Sequence, residues 1–161
     1  MNITWTIKLF ADLTTFELYD LLRLRSDVFV VEQQCVYPDV DGKDKYAWHV
    51  MGYADGHLVA YARLFKAGDY FSNASIGRVV TKFSARNTGL GHQLMKEAVK
   101  ALFDLLGTQT VEISAQQHLE AFYNAHGFIS RGESYLEDDI PHIRMFYTTN
   151  TRWVKLFLSK K

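Results

Sequence analysis

A strand-like run, a loop with two glycines and a long amphipathic segment follow one another between Ser75 and Gly107, and this order constrains the fold most. SIGRVVT has the β-branched composition of a strand. Gly107 is typical of a helix C-terminus. Between them, apolar residues recur three and four positions apart, as on one face of a helix, at Leu90, Leu94, Met95, Ala98, Ala101, Leu102 and Leu105. A helix with one apolar face needs a sheet or a second helix to cover that face.

Further strand and helix patterns flank this unit. Alternating Ile3, Trp5 and Ile7 predict a first strand, and a capping box at Thr14 and Glu17 opens a helix that runs to about residue 31. EQQCVYPDVDGKDK reads as a polar loop, and an Asp-Gly turn joins YAWHVMGY to HLVAYARLF. TVEISA is a strand, QHLEAFYNAH a short helix, and FISRGESYLE and HIRMFYTT are two strands joined by DDIP. The order β-α-β-β-β-α-β-α-β-β predicts one domain over residues 1–161, with a mixed α/β sheet and helices on its faces.

Charge and cysteine content exclude several classes of function. Lysine plus arginine number 18, as do aspartate plus glutamate, so the chain has no basic footprint for nucleic acid or an anionic membrane. No signal-peptide pattern is present and no apolar run approaches the roughly 20 residues that span a bilayer, so we expect a cytoplasmic protein. The single cysteine, Cys35, fits a small buried hydrophobe better than a nucleophile. Six histidines show neither H-E-x-x-H nor zinc spacing, so we expect no metal.

The glycine loop Arg86-Asn87-Thr88-Gly89-Leu90-Gly91 allows two interpretations from the residues alone. Unpaired N–H groups at a helix start, with glycines that allow close approach, suit a phosphate. A tight helix entry would use the same glycines. The chain lacks a P-loop, a G-x-S-x-G elbow and the second half of the dinucleotide-binding fingerprint.

R-N-T-G-L-G after a strand resembles the pyrophosphate-binding motif of the GNAT superfamily of N-acetyltransferases, written Q/R-x-x-G-x-G/A. HLEAFYNAHGF is similar to the superfamily's helix ending in L-Y-x-x-x-G-F, with Phe122 in the leucine position. VFVVEQQCVYPDVDG, IGRVV, AQQHLEAFY and DIPHIRM resemble stretches of its ElaA-like branch. The resemblance covers about residues 28–147 and leaves the tail, residues 148–161, unassigned.

This resemblance implies acetyl-CoA as the cosubstrate. Two central strands, SIGRVVT and TVEISA, would splay apart to form its slot. The pantetheine arm would meet the strand edge, whose N–H groups polarise the acetyl carbonyl, at Val79, Val80 and Thr81. The pyrophosphate would be held by the side chain of Arg86 and the backbone N–H groups of Asn87, Thr88, Gly89, Leu90 and Gly91. Gln116 stands where many members have a pantetheine-binding asparagine, so the chain departs from the pattern there.

Acetyl transfer needs a proton donor for the thiolate and a base for the amine. By the same resemblance Tyr123 is the general acid. His142, on a strand near the substrate mouth, is the first candidate for the base because of its intrinsic pKa. Glu32 is a second candidate, either as a base through water or as a counter-ion that binds the amine.

The sequence therefore predicts an acetyl-CoA-dependent N-acetyltransferase that acts by direct transfer in a ternary complex. The acceptor is expected to be a primary amine of a small molecule or peptide, with a non-catalytic CoA-binding or regulatory module as the alternative. Glu133, Glu137, Asp138 and Asp139 form an acidic run that would attract a cationic amine or simply be solvated. Exposed sheet edges and the tail around Trp153 make a homodimer a candidate assembly.

Overall fold

The computed structural model describes residues 2–107 and 110–148. Its eight strands are β1 (Thr4–Leu9), β2 (Trp48–Ala54), β3 (His57–Phe65), β4 (Ala74–Thr81), β5 (Thr110–Gln116), β6 (Ile129–Ser130), β7 (Tyr135–Glu137) and β8 (Ile140–Thr148). They form one sheet in the order β1-β2-β3-β4-β5-β8-β6, with β7 also paired to β8. Among the strands of these described residues, only β4 and β5 run parallel to each other. The α-helices are α1 (Thr15–Arg25), α2 (Leu90–Leu106) and α3 (Glu120–Asn124), so the predicted mixed α/β sheet is confirmed.

The first helix starts where the sequence predicts and then changes its winding. The Thr14 hydroxyl accepts the Glu17 N–H (3.2 Å), and a Glu17 carboxylate oxygen accepts the Thr14 N–H (2.8 Å), which confirms the capping box. After Arg25 the helix continues as a π-helical segment over Ser26–Glu32. π-Helical turns are rare and frequently lie at functional sites.

Helices cover both faces of the sheet. Adjacent strand residues point to opposite faces, and in β2 Val50 joins the core under α2 while Met51 joins the core under α1. The α2 core holds the predicted stripe of Leu90, Leu94, Met95, Ala98, Ala101 and Leu102. Leu105, predicted on the same stripe, is exposed near the end of α2.

Several local expectations need correction or fall outside the described residues. FISRGESYLE is not one strand, because Gly132 adopts a left-handed φ of +81° between β6 and β7. The segment predicted as a polar loop buries two aspartates, Asp39 and Asp44. The tail with Trp153 lies outside the described residues. Among the described residues, no helix is both long and apolar enough to cross a membrane.

Candidate active site

A slot opens in the centre of the sheet where β4 and β5 separate. These two strands pair at only two positions, Ala74 with Val111 and Ser75 with Glu112. Against β3, β4 carries one extra residue, because Tyr61 pairs with Val80 while Arg63 pairs with Gly77. Such a bulge bends the strand that contains it.

The bulge has an unusual backbone conformation. Arg78, within the β4 bulge, adopts a left-handed φ of +51°. That conformation is uncommon for residues other than glycine, asparagine and aspartate. Bulges are over-represented beside active sites, where they re-aim side chains or end strand pairing.

A cleft of about 140 Å³ lies at this slot. The π-helical segment contributes Phe29, β4 contributes Val79, and β5 contributes Gln116. Three polar side chains from later elements also line it, namely Tyr123, Glu137 and His142. The cleft therefore combines residues from the amino-terminal half, the central strands and the last hairpin.

The loop between β4 and α2 has the geometry of an anion cradle. Asn87 (φ +61°) and Gly89 (φ +78°) are left-handed, and α2 begins at Leu90. The first helical hydrogen bond runs from the Gln93 N–H to the Gly89 carbonyl (3.1 Å), so the amides of residues 90–92 have no intrahelical acceptor. A Cβ at Gly89 would meet nothing within 4 Å, whereas one at Gly91 would touch the Phe122 ring at 3.5 Å.

Two further residues complete the cradle. The Thr88 hydroxyl donates to the Ala85 carbonyl (2.8 Å) and fixes the turn. Leu90 is buried in the α2 core and anchors the helix start. These contacts hold in place the loop that carries the unpaired amides.

Arg86 and Glu32, predicted for different roles, form an ion pair. Arg86 contacts both carboxylate oxygens of Glu32, at 2.6 and 3.0 Å, and also donates to the Thr81 carbonyl at 3.2 and 3.3 Å. The pair joins the end of the π-helical segment to the end of β4. Glu32 does not line the cleft. The pyrophosphate role predicted for Arg86 and the amine or base role predicted for Glu32 are not tested by this ion pair.

Tyr123 lies on α3 with its ring packed edge-on against Phe122 and Phe128. Only 7% of the residue is exposed, and its hydroxyl has no hydrogen-bond partner among the described residues. Burial raises the pKa of this phenol to about 12. The side chain is therefore neutral and carries an available proton at physiological pH.

His142 lies on β8 and is 9% exposed. Its Nδ1 is 2.8 Å from the Ile140 carbonyl oxygen. A carbonyl only accepts, so the neutral ring carries its proton on Nδ1 and its lone pair on Nε2. Gln116 is its register partner on β5, and the Gln116 side chain donates to Gln33 at 3.3 Å.

The region of the predicted polar loop holds a buried ion cluster that sequence reasoning missed. Arg25 binds Asp39 (2.9 Å) and Asp44 (2.7 Å), and both sides are almost fully buried. Arg63 binds Asp44 (3.0 Å) and Asp41 (2.6 Å). Burial alone would raise the pKa of Asp41, but the hydrogen bonds and charge of Arg63 hold it well below its usual range. The signal was three aspartates in PDVDGKD beside arginines inside apolar runs.

His49 closes the same cluster. It is completely buried, with Nδ1 2.8 Å from the Tyr61 hydroxyl and Nε2 3.0 Å from the Asp44 carbonyl. Burial lowers the pKa of His49, so the ring is neutral at neutral pH. The cluster seats the loop that forms one side of the cleft.

Cys35, expected to be a buried hydrophobe, is only partly buried. The Cys35 thiol lines the cleft and donates to the Asp138 carbonyl at 3.7 Å. Over residues 2–107 and 110–148, no group of three or more His, Cys, Asp or Glu side chains is placed to hold a metal ion.

Comparison with known proteins identifies relatives over most of the chain. The family model described as an acetyltransferase (GNAT) domain matches residues 25–149. Protein ElaA of Escherichia coli strain K12 is 41% identical over 145 residues, which cover 89% of this chain and 95% of that protein.

Solved structures agree with this result. An acyl-CoA N-acyltransferase from Pseudomonas aeruginosa is 49% identical over 91% of this chain and all of that one, with a TM-score of 0.87. A GNAT family acetyltransferase from Elizabethkingia anophelis, whose crystal structure has acetyl-CoA bound, is 14% identical with a TM-score of 0.63 and covers 92% of this chain and 99% of that one. At 14% identity, the comparison with the second protein shows a common fold and no more.

Proposed function

The chain belongs to the GNAT acetyltransferase family, in its ElaA-like branch, and we propose that it moves the acetyl group of acetyl-CoA directly to a primary amine of a small molecule or peptide. The observation that carries the proposal is the β4–β5 slot, whose cleft is lined by Tyr123 and His142, with a loop of unpaired amides following β4. A pyrophosphate at one end and two proton-handling side chains at the other are what this reaction requires.

The cradle fits the pyrophosphate of acetyl-CoA. Its donors are the backbone N–H groups from Asn87 to Gly91, and the open space at the Cβ position of Gly89 leaves room for phosphate oxygens. The N-terminus of α2 adds a favourable partial positive charge. We assign the backbone of Val79, Val80 and Thr81, on the edge of β4 that β5 leaves open, to the pantetheine arm and the thioester carbonyl.

The acetyl thioester supplies an activated acyl group and a thiolate leaving group. Tyr123 donates a hydrogen bond to the departing sulfur. A phenol with a pKa of about 12 keeps its proton until that moment. Complete proton transfer to a thiolate, whose conjugate acid has a pKa of about 8.5, would be uphill by roughly 5 kcal/mol. The main contribution of Tyr123 is therefore the hydrogen bond.

His142 is our assignment for the base. Its Nε2 lone pair is available because Nδ1–H is bonded to the Ile140 carbonyl. An alkylammonium has a pKa near 10 and must lose a proton before or during attack. We assign Glu32, bound by Arg86 outside the cleft lining, to holding Arg86 rather than to proton transfer.

An acceptor screen tests this function. Primary amines are incubated with acetyl-CoA, and released thiol and acetylated product are both measured. We expect amine-dependent thiol release, with kcat lowered by at least about tenfold in Tyr123→Phe and about a hundredfold in His142→Gln. Glu32→Gln should keep kcat within about twofold, since it does not reach the cleft. His57→Gln, which changes an exposed histidine at the start of β3, is the control.

The outcomes separate the alternatives. Acetyl-CoA binding without transfer to any amine would support the non-catalytic CoA-binding module instead. Transfer that survives both Tyr123→Phe and His142→Gln would refute the assigned chemistry while leaving the reaction class intact.

A further inference from the structure

Two arginines line the cleft, and each is already paired with aspartate. Arg63 binds Asp41 (2.6 Å) and Asp44 (3.0 Å), while Arg78 binds Asp39 (2.8 Å). A third arginine, on α1, shares two of these aspartates. Three guanidinium groups and three carboxylates cancel in formal charge. This side of the cleft therefore offers an incoming molecule little net charge.

Glu137 also lines the cleft, but its carboxylate is bound by an uncharged side chain. Its carboxylate accepts a hydrogen bond from the Ser114 hydroxyl (2.8 Å), and the Ser114 oxygen lies 2.5 Å from the Tyr135 hydroxyl. Both neighbours are neutral. Within the described ranges, no lysine or arginine reaches salt-bridge distance of Glu137 or of Asp138, which also lines the cleft. The wall formed by the β7–β8 turn is therefore negative.

Among the described residues, two that are largely buried present unpartnered polar atoms to the cleft. The Tyr123 hydroxyl and the His142 Nε2 belong to residues that are 93% and 91% buried, from relative exposures of 7% and 9%. Neither atom has a hydrogen-bond partner among the residues that the structure describes. Both atoms are therefore available to hydrogen-bond with a polar ligand that the cleft binds.

Glu137 and His142 stand on the same face of one hairpin. Tyr135 pairs with His142 and Glu137 pairs with Ile140, so Glu137 is the diagonal neighbour of His142 across the two strands. Diagonal neighbours are separated by about 7–8 Å between Cα atoms. A short carbon chain could therefore connect a group beside the Glu137 carboxylate to a group beside His142.

We propose that the acceptor is a small diamine: one amine reacts beside His142, and a second ammonium group a few carbon atoms away binds Glu137. The inference rests on the proposed N-acetyl transfer and names its substrate class. The methylene groups between the two nitrogens pack against apolar cleft residues such as Phe29 and Ile76. Glu137 acts as a specificity determinant that touches the non-reacting end of the substrate.

The test compares two acceptors that differ by one charge. The value of kcat/KM is measured for 1,4-diaminobutane and for 1-aminobutane at one pH. A diamine has two amines that can react, which alone gives it a statistical advantage of about two. Beyond that factor, we expect the wild type to prefer the diamine by at least about tenfold, the lower end for a charge-assisted hydrogen bond. Added salt should reduce this preference because the cleft is open to solvent.

Three variants locate the effect. Glu137→Gln keeps an oxygen for the Ser114 hydroxyl and should lose at least about tenfold more on the diamine than on the monoamine. Glu137→Asp keeps the charge and should retain part of the preference. Glu133→Gln removes the same charge from an exposed position outside the cleft lining and should change neither acceptor.

The possible failures are distinguishable. Equal losses on both acceptors in Glu137→Gln, or a wild type without preference beyond a factor of about two, would overturn the diamine assignment alone. Acetyl-CoA binding with no transfer to any amine would overturn the proposed function and this inference together. The wild-type comparison and its salt dependence need no variant, so a Glu137 variant that fails to fold leaves the test intact.

Discussion

Gly89 and Gly91 should respond in opposite ways to alanine, although they are two residues apart. Gly89 has a left-handed φ of +78°, so Gly89→Ala should cost about 1–2 kcal/mol of stability. Gly91 lies in the first turn of α2, where alanine should gain up to about 1 kcal/mol. The new methyl group would meet the Phe122 ring at 3.5 Å, an ordinary contact.

The effect on acetyl-CoA should follow a different order. A methyl group at Gly89 would occupy the open space at the cradle and separate the phosphate from one or more amides. Loss of one hydrogen bond to a charged group costs about 1.5–3 kcal/mol, which is about ten- to a hundredfold in Kd. The Q/R-x-x-G-x-G/A motif admits alanine at the last position. Gly91→Ala should therefore bind within about threefold of the wild type.

Thermal unfolding without ligand and calorimetric titration with acetyl-CoA measure the two effects separately. For a chain of this size, 1 kcal/mol corresponds to about 2–4 °C in Tm. We expect Gly89→Ala to melt lower and bind weakly, and Gly91→Ala to melt higher and bind normally. Wild-type affinity in folded Gly89→Ala would refute the cradle, because the glycine would then serve only the helix entry.

Two further predictions concern stability. Asp44→Ala leaves Arg25 and Arg63 short of a partner in a buried cluster, so it should lower the free energy of unfolding by about 3–5 kcal/mol, seen as a lower urea midpoint; a change under about 1 kcal/mol would contradict this. Burial lowers the pKa of both His49 and His126, so unfolding takes up protons at acid pH. Stability should be full above pH about 6.5 and fall below it, by up to about 1.4 kcal/mol per pH unit for the buried His49 and by less for the solvent-screened His126, so His126→Gln should reduce the slope slightly.

Features fixed by neighbouring residues could be predicted from the sequence. The capping box at Thr14 and Glu17 needs only residues three apart. Asp55 and Gly56, with φ of +48° and +78°, form the two-residue hairpin turn that their identity favours. The apolar period of α2 likewise specified its buried face up to Leu102.

Features that depend on distant partners could not be predicted. PDVDGKD has the composition of a solvated loop, and its burial follows from arginines 14 to 39 positions away in sequence, on α1, β3 and β4. The left-handed Arg78 at the β4 bulge is a conformation that its residue type does not favour. The Glu32–Arg86 pair joins residues 54 apart. Each depends on tertiary packing that no local pattern encodes.

The candidate site divides in the same way. The family resemblance led to Tyr123 and His142, and the structure adds their burial and the cleft that they share. The sequence could not identify Glu137 as a carboxylate bound by the neutral Ser114 hydroxyl, because the acidic run around it reads as a solvated turn.

Transfer of a labelled acetyl group tests the central claim most directly. The protein is incubated with acetyl-CoA labelled in the acetyl group and with primary amines including 1,4-diaminobutane. Product and protein are then separated and counted. Direct transfer predicts label on the amine, none on the protein, and at least about tenfold slower labelling with Tyr123→Phe. Label retained on the protein, at Cys35 for example, or label that reaches no amine although acetyl-CoA binds, would contradict the account.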